Sequence, residues 1–189
     1  MTTGITAEDW IAHHTLMTPQ APAALDLASG RRFTYAQFDQ RITRAALWMR
    51  HAFGVKRGDR VAVLSMNDTD VFELQFACQR LGAIFMPLNW RLAVPELEFI
   101  AKDSTPVALI HGTEFAEAAQ AVQKLAAVPH LATLANGKPS DYEAGLAAAT
   151  GTLEHQALDL DETWTIMYTS GTTGRPKGAR ITYGMAFFN

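Results

Sequence analysis

The chain has 189 residues, 48% hydrophobic and 19% charged, which is ample material for a core and excludes disorder by composition. Sixteen Lys and Arg against nineteen Asp and Glu leave a net charge of −3, which argues against broad non-specific attraction to nucleic acid or an anionic membrane. The one cysteine, Cys78, has no partner for an internal disulfide, and no uninterrupted apolar run of roughly 18 residues is present to span a bilayer. The polar, acidic start (Thr2, Thr3, Glu8, Asp9) has no basic region followed by an apolar one, so the location expected is the cytoplasm.

His13 and His14 fall in an N-terminal helix, and Phe33-Thr34-Tyr35 leads into a long one over about 36–52. Thr34 and Gln37 have the spacing of a capping box, and Phe38, Ile42, Ala45 and Met49 share one face. Gly54 and Gly58 end that unit, and 60–65 reads as a buried strand. Asn67 and Asp70 are expected to cap the next helix, whose stripe is Val71, Leu74, Cys78 and Leu81, with Gly82 closing it. A strand follows at 83–88, then a short helix from Pro95 to about Lys102, then a third strand at 107–111. Thr113 is expected to cap an Ala-rich helix over about 114–127. The segment 130–134 reads as a further strand, 136–140 as an exposed turn, and 141–151 as a helix followed by a loop. Strand–helix–strand alternation of this length predicts an α/β fold, a layered α-β-α arrangement with a mainly parallel sheet.

Residues 164–182 break the alternation. A strand (Trp164 to Thr169) runs into Ser170-Gly171-Thr172-Thr173-Gly174-Arg175-Pro176-Lys177-Gly178, and a second strand (Ala179 to Thr182) leaves it. Such a loop suits a phosphate: glycines let backbone N–H groups approach an anion, hydroxyls donate to its oxygens, and a lysine adds a point charge. It is not the Walker-type loop, because Lys177 precedes Gly178 and follows a proline.

Ile166 to Lys177 resembles the phosphate-loop signature of the AMP-forming adenylating enzymes, the superfamily of acyl-CoA synthetases, peptide-synthetase adenylation domains and firefly-type luciferases. Upstream, Arg32 to Tyr35, Val55 to Val63 and Arg80 to Asn89 are similar to further segments of that superfamily, and Asn89-Trp90-Arg91-Leu92 is similar to its acyl-CoA synthetases. The resemblance implies the first part of the family's large domain and, for the whole protein, an acid–CoA ligase. Such an enzyme joins a carboxylic acid, a fatty or related acyl acid, to ATP as an acyl-adenylate with release of pyrophosphate, then transfers the acyl group to coenzyme A. By the same resemblance Thr169, Ser170, Gly171, Thr172, Thr173, Gly174 and Lys177 would hold the β- and γ-phosphates. Thr169 would also touch Mg²⁺, and Lys177 would support catalysis. Arg175, Lys177 and Arg180 put three positive charges within residues 175–180, which fits a polyanion. The family commonly has His where Tyr183 stands, beside its acyl-binding region.

Other readings stay open beside this one: a peptide-synthetase domain, a luciferase-like member, a short nucleotide-binding module, or an inactive truncated product. The apolar ending (Met185, Phe187, Phe188) leads to the expectation of a longer protein cut just after the loop, and a homodimer is compatible with the sequence. His51, His111, His130 and His155 have no partner at metal-ligand spacing. Cys78 lies on an apolar stripe and reads as structural, Trp90-Arg91 as packing, and Met66, Met86 and the phenylalanines as core.

Overall fold

The computed structural model describes residues 6–154, 156–169 and 175–188. Helix α1 (Trp10–Met17) starts at Asp9, whose carboxylate accepts from the amides of Ile11 and Ala12. A small antiparallel hairpin follows, β1 (Pro22–Leu25) with β2 (Arg32–Thr34). Helix α2 (Tyr35–Phe53) opens with the capping box: Thr34 Oγ1 accepts from the Gln37 amide, and Gln37 Oε1 accepts from the Thr34 amide. It closes at Gly54, whose φ of 66° is the left-handed conformation that favours glycine.

The alternating part runs β3 (Arg60–Leu64), α3 (Thr69–Leu81), β4 (Ile84–Pro87), α4 (Val94–Ser104) and β5 (Ala108–Gly112). It continues through a 3₁₀ turn (Thr113–Phe115), α5 (Ala116–Ala126), β6 (His130–Leu134) and α6 (Asp141–Ala148). A second hairpin, β7 (Thr163–Thr169) with β8 (Lys177–Thr182), leads to a short helix α7 (Tyr183–Phe187). The six long strands lie in the order β6-β5-β3-β4-β7-β8, all parallel except β8.

Alternation along the strands builds a core on each face of this sheet. Val61, Val63, Phe85 and Ile110 point into one core with Phe38, Ile42, Leu74, Cys78 and Tyr142 of α2, α3 and α6. Ala62, Leu64, Met86 and Leu109 point into the other with Leu97, Ile100 and Val122 of α4 and α5. Burial on both faces is why these strands read as unbroken apolar runs, and it makes the layered α-β-α fold a mainly parallel one, as expected.

Some local expectations are corrected. The cap of α3 is Asp68, extended and accepting from the Val71 amide at 3.0 Å, not Asn67 or Asp70. Asp70 is already helical and fully buried, and its Oδ1 takes a 2.7 Å bond from Arg31 Nη2. Thr113 does not cap α5; it opens the 3₁₀ turn, and the helix begins three residues later behind Phe115 without a side-chain cap. Met66 is exposed because it lies past the carboxyl end of β3, and Phe72 is exposed because it sits on the outer side of α3, while Met86 is core.

A polar cluster stitches these layers together. Arg41 of α2 reaches Glu73 of α3 (2.7 Å) and Glu143 of α6 (2.6 Å), and the buried Tyr142 hydroxyl donates to Glu73 at 2.6 Å. Nearby, Arg31 Nη2 also donates to Asn136 Oδ1 at 2.6 Å. Asp26 accepts from Ser29, Thr69 and Asn136, so the β1–β2 turn is bonded to the start of α3 and to the turn after β6.

Candidate functional site

The carboxyl ends of parallel strands are where an open α/β sheet places its ligands, because loops leave there for opposite faces. Strand β7 joins the sheet through Thr165, paired with Phe85 of β4, and carries the chain to that edge. There β8 folds back antiparallel, with Thr169 and Lys177 as the last cross-strand pair. Residues opposite one another in an antiparallel pair project to the same side, so the Thr169 hydroxyl and the Lys177 ammonium flank the mouth of the loop together. Both side chains are exposed, as is Arg175. Ser170, Gly171, Thr172, Thr173 and Gly174 lie outside the described residues.

The hairpin is anchored on its α4 side. Tyr168 points to the α4 side, where its hydroxyl donates to Asp103 Oδ2 at 2.5 Å. Burial and the neighbouring Asp103 carboxylate push the phenol up to about 12, so it stays a donor. Sequence reading missed this anchor, since nothing in the spacing of Asp103 and Tyr168 along the chain marks them as partners.

Arg180 does not join the charges at the mouth. It sits three residues along β8 from Lys177, hence on the opposite side of the strand. Its Nε donates to Thr163 Oγ1 at 2.8 Å, at the base of the hairpin. Of the three cations grouped by sequence, Arg175 and Lys177 remain beside the loop. Tyr183, which stands where the family commonly has His, is buried against Leu158 and Leu160 and stacks on Trp164 with ring centroids 6.0 Å apart. Thr182 before it caps α7 by accepting from the Met185 amide.

Along the same edge a cavity of about 380 Å³ opens between the ends of β3, β5 and β6, lined by Ser65, Asn67, Asp68, Thr113, Glu114 and Asn136 among others. Burial, with a smaller contribution from the Asp70 and Asp26 carboxylates, pushes Asp68 up to about 6 against its bond from the Val71 amide. Trp90 and Arg91, just past β4, pack as expected: Arg91 lies over the Trp90 ring at 4.0 Å, and that ring meets Phe115. Among the described residues no group of three His, Cys, Asp or Glu side chains is placed to hold a metal ion.

The sequence profile of AMP-binding enzymes matches residues 11–189. The chain belongs to the AMP-binding enzyme family. Within this family it is 40% identical over 181 residues to a feruloyl-CoA synthase of an Amycolatopsis species, covering 95% of this chain and 34% of that protein. It is 36% identical over 169 residues to the long-chain-fatty-acid–CoA ligase FadD13 of Mycobacterium tuberculosis, covering 88% and 33%. Among solved structures, the inhibitor-bound N-terminal domain of FACL13 from M. tuberculosis superposes with a TM-score of 0.80 at 30% identity, over 92% of this chain and 43% of that one. ATP-bound MatB from Rhodopseudomonas palustris gives 0.80 at 27% identity, over 95% and 35%. The chain therefore spans about a third of the length of the curated family members it matches.

Proposed function

We propose that this chain supplies the phosphate-binding portion of an AMP-forming acid–CoA ligase, as residues 1–189 of the large nucleotide-binding domain. The observation that carries the reading is the pairing of Thr169 with Lys177 across the exposed mouth of the β7–β8 loop, at the carboxyl edge of the sheet. Its relatives named as CoA ligases support the same assignment. In this reading the hydroxyls of Thr169, Ser170, Thr172 and Thr173 and the amides of Gly171 and Gly174 donate to the β- and γ-phosphates of ATP. Lys177 offsets the charge that builds on pyrophosphate as it leaves, a contribution that counts because it is larger in the transition state than in the ground state.

A neutral hydroxyl such as Thr169 fits Mg²⁺ as one ligand among phosphate oxygens and water, the way this ion is commonly bound to nucleotides. Mg²⁺ bound there would neutralise phosphate charge. The Tyr168–Asp103 bond keeps the strand that presents Thr169 in register against α4. The acid, a fatty or related acyl acid, would be activated as an acyl-adenylate and passed to coenzyme A by a cytoplasmic enzyme. Because the chain matches about a third of the length of its CoA-ligase relatives, the 189 residues alone are expected to catalyse no adenylation.

Titration calorimetry with Mg²⁺–ATP tests the loop assignment. Lys177→Ala should weaken binding roughly tenfold or more, the cost of one charge-assisted bond, with no loss of folded structure because the side chain is exposed. Equal binding by the variant would sink the role given to Lys177. Pyrophosphate–ATP isotope exchange by the chain alone, above blank, would show that the active unit is shorter than proposed.

A further inference from the structure

A second site lies at the opposite edge of the sheet, away from the loop. Around the end of α2 and the start of β3, a cleft of about 360 Å³ is lined by Arg50, Lys56, Arg57 and Arg80, with Val55, Leu81 and Leu153 among its apolar residues. Among the described residues no carboxylate lines it, although the chain as a whole carries −3.

The four cations are not equivalent. Arg80 is nine-tenths buried and held by Asp9 (2.8 Å), Thr43 (2.6 Å) and Asp39 (2.5 Å). Arg57 is tied to Glu162 on the neighbouring loop, and its stem lies across Gly82, where an added Cβ would stand 2.8 Å from Arg57 Cγ. These two form a fixed wall whose charge is already balanced. Arg50 and Lys56 are different. Among the described residues, the Arg50 guanidinium donates to the Thr152 carbonyl alone, at 3.2 Å, and Lys56 Nζ has no ion pair. The nearby Asp59 carboxylate is engaged by the Lys56 amide at 2.8 Å.

Part of this charge suits the end of α2, because cations stabilise a helix carboxyl terminus. That requirement is satisfied by a single arginine in the last turn, Arg50, and does not gather four cations around one concavity. Nor does it account for the floor, where Val55 and Leu81 are almost fully buried yet border the cleft. Two cations with no carboxylate partner among the described residues, beside an apolar lining, match a ligand with an anionic end and an apolar body. A concave site of this volume suits a small molecule better than a flat protein surface does.

We infer that this cleft binds a small phosphate-bearing molecule, its phosphate held between Arg50 and Lys56 and its apolar part laid mainly on half-buried Leu153, with the almost fully buried Val55 and Leu81 behind it. Arginine and lysine donors are the usual partners of phosphate oxygens. The site shares no residue with the β7–β8 loop, so it stands independently of the function proposed there.

Amide NMR of the full 189-residue chain, titrated with phenyl phosphate, tests it. Saturable shifts are expected at Gly54, Val55, Lys56, Arg57 and Leu153. Inorganic phosphate, lacking the apolar body, should bind the same amides more weakly, and the double variant R50Q/K56Q should bind phenyl phosphate roughly tenfold more weakly or worse. Should the double variant lose the dispersed spectrum of a folded protein, K56Q alone serves, since that exposed side chain holds nothing in place. Absence of shifts at these amides, unchanged affinity in the variant, or equal affinity for inorganic phosphate would overturn the inference. Shifts confined to Thr169, Arg175 and Lys177 would also overturn it while leaving the loop reading intact.

Discussion

Replacing Gly145 by alanine sets two opposing effects against each other inside α6. Glycine is a poor residue for a helix interior, so Gly145→Ala taken alone should stabilise by about 1 kcal/mol. Here α6 leans so closely on α2 that a Cβ at 145 would stand 2.3 Å from Cδ1 and Nε1 of Trp48. Carbon atoms rest about 3.5–4.0 Å apart, so the indole would have to retreat by roughly 1 Å or more. It has little space to do so: Trp48 is 9% exposed, with Phe53 edge-on at 4.8 Å and Tyr142 at 5.6 Å. Forcing a rigid ring out of a packed site costs about 1–3 kcal/mol. The clash should win, and Gly145→Ala should destabilise by about 1 kcal/mol net. Urea unfolding followed by far-ultraviolet circular dichroism measures this. The sharper comparison is a double-mutant cycle with Trp48→Leu, where the ring is gone and the same alanine should become neutral or stabilising. An alanine that costs the same with and without Trp48 would refute the packing argument, because the two changes would then be additive.

Other expectations follow from the polar cluster and the enclosed thiol. Tyr142→Phe removes a fully buried hydroxyl that donates to Glu73 at 2.6 Å, and should cost about 1–3 kcal/mol in the same unfolding assay; a neutral result would mean the bond adds nothing to folding. Burial pushes the Asp26 carboxyl up, but donors from Ser29, Asn136 and Thr69 outweigh it and hold the group at about 2, below its ordinary 3.8. A depressed carboxyl contributes stability that is present above pH 3.8 and lost as pH falls through 2. A side-chain NMR titration placing Asp26 near 4 would contradict that. Burial alone pushes the Cys78 thiol far up, and it has no exposed surface. An aromatic disulfide reagent should therefore label it only as the protein unfolds, and fast labelling under native conditions would show that the core opens locally.

Much of the architecture is written in local chemistry. The Thr34–Gln37 box, the left-handed glycines at 54 and 82, and the apolar stripe through Leu74, Cys78 and Leu81 each depend on a few neighbouring residues, and each appears where the spacing places it. The loop composition from Thr169 to Lys177 is local too, which is why a family could be recognised from it. Capping residues were legible only to within one or two positions. Asn67, Asp68 and Asp70 offer similar carboxylate or amide oxygens, and the choice among them is made elsewhere: Arg31, 39 positions away, claims Asp70 and leaves Asp68 to the helix.

Local residue patterns set the alternation of strands and helices, the two-faced burial of the central strands, and the loop that marks the family. Lys177 and Arg180 part company through tertiary pairing, since bonding to β7 extends β8 back to Lys177, ahead of the strand expected from Ala179, and Thr163 takes the arginine. Only the tertiary structure brought Asp103 to Tyr168, Glu73 to Tyr142, and Arg50 to the cleft beside Lys56. One cause underlies all of these pairings. Helix and strand periods are set by covalent geometry within a few residues, whereas the partner of a polar side chain is set by whichever group the packed layers bring within about 3 Å.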